Sequence, residues 1–138
     1  MRRATLLIGV IASTLALLAT PTPVRGAVSG RAALMFTEIL TGAASASDEY
    51  VQIEATGEGV TPLSDVELIY RSASGLTTRR LVSLAALPPL AAGGRLLLAN
   101  AAGSAAGQAF LTWSDGIASS GGALLLRRIS APSEIIDA

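Results

Sequence analysis

Beyond residue 30 the chain is written as short apolar runs broken by turn residues, the pattern of an all-β domain. "ALMFTEIL" (33–40) is rich in strand formers and ends at Thr41-Gly42. "EYVQIEAT" (49–56) alternates, with Val51 and Ile53 on one face and Tyr50, Gln52 and Glu54 on the other. "DVELIYRS" (65–72) alternates too, setting Val66, Leu68 and Tyr70 against Glu67, Ile69 and Arg71. "TRRLVSL" (78–84) follows a tight Ser74-Gly75 turn, which predicts a hairpin. "GRLLLAN" (94–100), "AFLTW" (109–113), "GALLLRRI" (122–129) and "EIIDA" (134–138) complete the set of strands. A helix needs a longer periodic stretch, and this part of the chain offers none.

The connecting segments carry turn chemistry. Gly57-Glu58-Gly59, Pro88-Pro89, Gly93-Gly94, Ser114-Asp115-Gly116 and Gly121-Gly122 punctuate the strands. "ANAAGSAAGQA" (99–109) is rich in alanine, but its glycines and its lack of an apolar stripe predict a flexible surface loop. "LAALPPLAAGGRLLL" places apolar residues around a Pro-Pro kink, where the chain is expected to cross between sheets. "SEIIDA" opens like a strand and then stops at Ala138, so either the last strand is very short or the natural protein continues.

The first 26 residues read differently. Arg2 and Arg3 form a basic start, Ala4 to Thr20 carries no charge, and Pro21 and Pro23 interrupt any helix. Val24-Arg25-Gly26 then places small or apolar residues at the −3 and −1 positions before Ala27, completing the plan of a secretory signal peptide over 1–26. The rival is a retained anchor, for which the apolar run is slightly short of the roughly 20 residues a span requires. Membrane contact is therefore expected only if this segment stays uncleaved. Residues 27–33 are a short linker, and 34–138 form the domain of a secreted or cell-surface protein.

Composition narrows the chemistry. The full chain has ten basic and ten acidic residues, and removing Arg2, Arg3 and Arg25 leaves a net charge of −3. Such a product has no general attraction to nucleic acid or anionic membrane. Every basic residue is arginine, for which GC-rich coding is the plainer explanation. Without His, Cys or Lys there is no Ser–His–Asp or Cys–His arrangement, no Schiff-base amine and no His/Cys zinc site. The absence of cysteine also removes disulfides and a lipoprotein anchor, so stability must come from burial.

Three chemistries remain open. Glu38, Asp48, Glu49 and Glu54 gather within residues 37–56, and a two-carboxylate hydrolase needs carboxyls ~5–10 Å apart across a cleft. The structural alternative has Glu38 partly buried and bonded to a neighbouring strand or loop, Asp48 starting a strand and Glu54 solvated. A calcium site would draw on Asp48, Glu49 and Asp115, but no D-x-D-x-D run is present. Nucleic-acid binding would use Arg79-Arg80 and Arg127-Arg128, yet adjacent strand residues face opposite ways and aromatics are few. These arginines read as ordinary solvated charges. Trp113 and Tyr50 are the aromatics of interest, each a core anchor if buried; an exposed Trp113 would offer a binding surface.

With the strands placed, the order of motifs resembles the lamin tail domain family in its bacterial exported form. "LMFTEIL" is similar to that family's opening strand, and "SDEYVQIEATGEGVTPLSDVELIYRSASG" to its second motif, where an acidic-aromatic pair starts a strand. "LPPLAAGGRLLLAN" resembles its Leu-Pro…Gly-Gly-x-Leu-Leu-Leu motif, and "GGALLLRRISAPSEIIDA" its closing hairpin. The family usually carries Glu-Leu-Tyr-Asn where this chain has Gln52-Ile53-Glu54-Ala55, and Gly-Trp where it has Asp65-Val66. The resemblance implies an immunoglobulin-like β-sandwich of the lamin-tail type, with Glu38, Glu49, Tyr50, Gly93 and Gly94 as its structural signature. It also implies no common enzymatic activity, and with the residue types missing from the chain the expectation is no enzyme, no catalytic residue, no cofactor and no metal. The expected role is an interaction or attachment module for a protein or cell-surface partner, with nucleic acid not expected. The alternative is an accessory domain of a larger secreted hydrolase, nuclease or surface protein.

Overall fold

Strand follows strand in the computed structural model of the chain, which describes residues 34–42, 44–117 and 121–138. The leader expected over 1–26 and the linker over 27–33 lie outside the described residues. The order is β1 (Leu34–Thr41), β2 (Glu49–Ala55), β3 (Val60–Thr61), β4 (Val66–Ser72), β5 (Thr78–Ser83), β6 (Leu90–Ala91) and β7 (Arg95–Asn100). A 3-10 turn (Ala106–Gln108), β8 (Leu111–Trp113), β9 (Gly122–Arg128) and β10 (Ile135–Asp137) follow. Each strand expected from the pattern is present, although "AFLTW" is trimmed to its last three residues and "EIIDA" to three. Two-residue strands such as β3 and β6 are too short to leave an alternation in the sequence.

Two four-stranded sheets carry the fold, one ordered β1-β2-β7-β8 and the other β10-β9-β4-β5; β3 and β6 pair separately. All pairings are antiparallel except β7 with β8. The Ser74-Gly75 turn closes the β4–β5 hairpin as expected, with Gly75 at φ 71° and Ser72 bonded to Thr77. The Pro88-Pro89 segment leads from β5 in the second sheet to β7 in the first, and β6 pairs with β3 on the way.

One buried cluster draws on both sheets. Val51, Ile53, Leu96, Leu98 and Trp113 come from the first, and Val66, Leu68, Tyr70, Leu124 and Leu126 from the second. Leu63 and Leu84 fill the space from the connecting segments. Each large aliphatic side chain here contributes about 1.5–3 kcal/mol by leaving water. Trp113, open between core and surface in the sequence, is only 4% exposed and belongs to this core. Phe110 falls just outside β8 and is exposed, so the two aromatics of that segment have opposite fates.

Two strands depart from simple alternation. β4 is an inner strand of its sheet, and it buries Glu67 and Ile69 on one face as well as Val66, Leu68 and Tyr70 on the other. β1 has a register shift between Phe36 and Glu38, after which Glu38 stands opposite Gln52. Leu34 and Phe36 pair with the inward residues Ala55 and Ile53, so unbroken alternation would have sent Glu38 inward. The bulge sends it outward instead.

The "GG" pair whose second glycine opens β9 is a packing requirement. At Gly122 a Cβ would lie 2.5 Å from Tyr70 Cε2 and 2.7 Å from the Arg71 carbonyl oxygen, and φ is 149°. Gly122→Ala should therefore destabilise the fold by about 2–4 kcal/mol through overpacking and backbone strain. Gly107→Ala, where nothing lies within 4 Å of the added carbon, is the control. The comparison is read from urea midpoints, with the control close to the parent chain.

Candidate functional site

The acidic cluster of residues 37–56 is dispersed by the fold into four settings. Glu38 is exposed on the outer face of β1, Asp48 sits in the loop before β2, Glu49 is buried, and Glu54 lies on the outer face of β2. The burial expected of Glu38 falls to Glu49, because the β1 bulge turns Glu38 away from the core while Glu49 shares the inward phase of Val51, Ile53 and Ala55.

Glu49 is 1% exposed and holds together three parts of the chain. Its Oε2 accepts from Asn100 Nδ2 on β7 at 3.0 Å, and its Oε1 accepts from the Ile117 backbone N–H at 2.6 Å. Asn100, itself buried, uses its Oδ1 to accept from the Ala102 N–H at 3.0 Å. The relay thus begins and ends on backbone donors. Asn contributes one acceptor and one donor, so the remaining member must be acceptor on both oxygens. A carboxylate satisfies that arithmetic and a carboxamide does not.

Near Glu49, Asp115, Gly116 and Gly121 are held from the second sheet as well. Arg79 of β5 donates to the Gly116 carbonyl, approaches Asp115 at 3.9 Å and lies over the Tyr70 ring at 5.4 Å. Tyr70 donates its hydroxyl to the Gly121 carbonyl at 2.8 Å. Asp48, Glu49 and Asp115, the oxygen ligands considered for calcium, are each bound to a different partner. Among the described residues no three His, Cys, Asp or Glu side chains group around a point where an ion would sit.

The outer face of the first sheet holds the other acids. The Tyr50 hydroxyl donates to Glu38 Oε1 at 2.5 Å, and Arg95 pairs with Glu54 at 2.8 Å. Asp48 accepts from the Ser104 N–H at 2.9 Å and the Ser45 N–H at 3.0 Å, joining the loop before β2 to the Ala-rich segment. That segment is therefore fastened, with Gly103 packed so tightly that a Cβ would clash with the Ser47 carbonyl oxygen. Gly93 adopts φ 73°, and Gly94 leaves no room for a Cβ beside Ala91 and Leu90. These two signature glycines build the turn into β7.

The arginine pairs split between faces, as adjacent strand residues should. They are engaged rather than freely solvated. Glu67, buried on β4, takes Arg127 at 2.7 Å and Arg80 at 3.7 Å, while Arg128 approaches Glu134 at 3.7 Å. Asn100 and Glu67 are the structural polar residues that sequence reasoning passed over. Asn100 lies in phase with the inward Leu96 and Leu98, which is the signal that would have found it.

Replacing Glu49 by Gln keeps its size and adds a donor where donors already converge. The loss should be about 1–3 kcal/mol, the cost of one unpaired buried polar group, measured by urea denaturation.

Tyr50 gives an optical handle. Its bond to Glu38, reinforced by partial desolvation and the nearby negative charge, holds the phenol's ionisation above its ordinary 10.0. A group with a raised value keeps its stabilising effect below the unfolded value and loses it as pH rises through the folded one. Phenolate absorbance should therefore show Tyr50 titrating late, and Glu38→Gln should bring it back toward 10.0.

The acid limb has the opposite sign. N–H and hydroxyl donation from Ser104, then Ser45, lowers Asp48, and the Ser130 hydroxyl and N–H, with help from Arg128, lower Asp65. Their contribution is complete above 3.8 and fades as pH falls below it toward the lowered values. Asp48→Asn and Asp65→Asn should each flatten the dependence of melting temperature on pH in that window.

No protein-family model matches this chain, and no curated protein matches it.

Proposed function

We propose that this chain is a non-catalytic, exported interaction or attachment module, an immunoglobulin-like β-sandwich of the lamin-tail type. One observation carries the reading: the conspicuous acidic residues are committed to bonds inside the fold. Glu49 is closed off by Asn100 and Ile117, Glu67 by two arginines, Asp48 by two backbone N–H groups, and Glu54 by Arg95. A two-carboxylate reaction needs two carboxyls free to exchange protons with a substrate across a shared cleft. The two facing sheets with one common core, together with the motif order noted in the sequence, support the family reading. The partner is a protein or a cell-surface component.

The test is catalytic silence under demanding conditions. The purified chain, incubated with polysaccharides and with phosphodiester substrates, should release no reducing ends and no cleaved ester above a buffer blank. Reproducible turnover abolished by Glu38→Gln would overturn the reading.

A further inference from the structure

We infer that the outer face of the first sheet carries a binding groove for a neutral saccharide. The inference rests on the module reading above and supplies the class of its ligand. The groove lies between the sheet and the Ala-rich segment, and its lining includes Glu38, Tyr50, Gln52, Leu97, Ser104 and Gln108. Its volume of about 460 Å³ falls within the ~300–1,000 Å³ range of small-molecule sites.

Three features of the fold make it. The β1 bulge brings Glu38 onto the outer face, opposite Gln52. The β2 alternation puts Tyr50 and Gln52 on that same face, and β7 contributes Leu97 opposite Gln52. The wall is the 101–110 segment, held by Asp48 to Ser104 and by Asn100 to Ala102. The lining is also preorganised: Tyr50 is fixed to Glu38 at 2.5 Å, and Thr37 donates to Gln52 Oε1 at 3.0 Å. Ordering these groups before the ligand arrives lowers the entropy cost of binding.

The groups left over define the ligand. Glu38 retains a second carboxylate oxygen as acceptor, and Gln52 retains its amide N–H donors. The Gln108 side chain makes no hydrogen bond among the described residues, so its acceptor and donors are both available. Alternating acceptors and donors over a short distance match neighbouring hydroxyls, each of which donates and accepts. The Tyr50 ring and Leu97 offer apolar surface for the C–H face of a sugar ring. Among the described residues no arginine lines the groove, and Glu38 would repel an anion, which selects against phosphate, sulfate and uronate groups. A mainly apolar ligand would leave these polar groups unpaired.

The test is affinity electrophoresis of the chain through native gels holding laminarin, mannan, xyloglucan, hydroxyethylcellulose or glycol chitin, with hyaluronan as the anionic comparison. At least one of the five should retard the chain, and hyaluronan should not. Gln108→Ala, at a surface position, and Tyr50→Ala should each weaken retardation about tenfold, the loss of roughly one well-made contact. An unchanged melting temperature in Gln108→Ala keeps that variant informative even if Tyr50→Ala unfolds. No retardation by any of the five, retardation by hyaluronan alone, or retardation unaltered in Gln108→Ala would overturn the groove. Each of those outcomes leaves the module reading standing, whereas release of reducing ends in the gel would overturn that reading instead.

Discussion

A single buried carboxylate sets the terms for one end of this fold. Glu49 lies where β2 begins, where β7 ends and where the segment after β8 turns back, and each needs something from it. The Ala102 and Ile117 N–H groups are on separate stretches of backbone, and neither is satisfied by a sheet ladder. Asn100 passes the first demand on to Glu49, and Ile117 presents the second directly. An apolar side chain at position 49 would leave donors stranded away from water, a heavier cost than its burial would return. The polar relay fixes geometry, and the aliphatic cluster around it supplies the driving force. Neither substitutes for the other in a chain without disulfides.

The two sheets divide their polar work differently. In the second, Glu67 gathers Arg80 and Arg127 over the outer face of β4, so an inner strand is covered on both sides. In the first, the outer face stays open beside the Ala-rich segment and holds its side chains in fixed pairs, Glu38 with Tyr50 and Glu54 with Arg95. One face is closed by charge pairing and the other is left presentable. That asymmetry is why the proposed groove is sought on the first sheet.

The strands were legible because alternation and turn residues are local signals, and β2 shows it best: Val51 and Ile53 point inward as their spacing requires. Glu49 occupies the same phase two residues earlier, yet as an acid at a strand start it reads as surface, and only the distant Asn100 and Ile117 make its burial affordable. The bulge at Phe36–Glu38 was not legible at all, because an extra residue in a strand leaves no mark on composition. It reverses the inward phase for every later residue of that strand, so the acids on β1 and β2 exchange the roles their appearance suggests. The Ala-rich stretch 99–109, expected as a flexible surface loop, ends β7 at Asn100 and contains a 3-10 turn. Its attachment through Asp48 depends on a residue far away in sequence.

The bulged strand also sits at an edge of its sheet, the position from which one chain can template another. There the Phe36 N–H donates to the Asp137 carboxylate of β10, the edge strand of the opposite sheet, at 2.7 Å. A side chain thus occupies the donor that an incoming strand would use first, and the bulge breaks the regular spacing of those that remain. By filling that donor, β10 hinders edge-to-edge pairing of β1 with another chain. Its three residues matter less for the area they bury than for the neighbour they turn away.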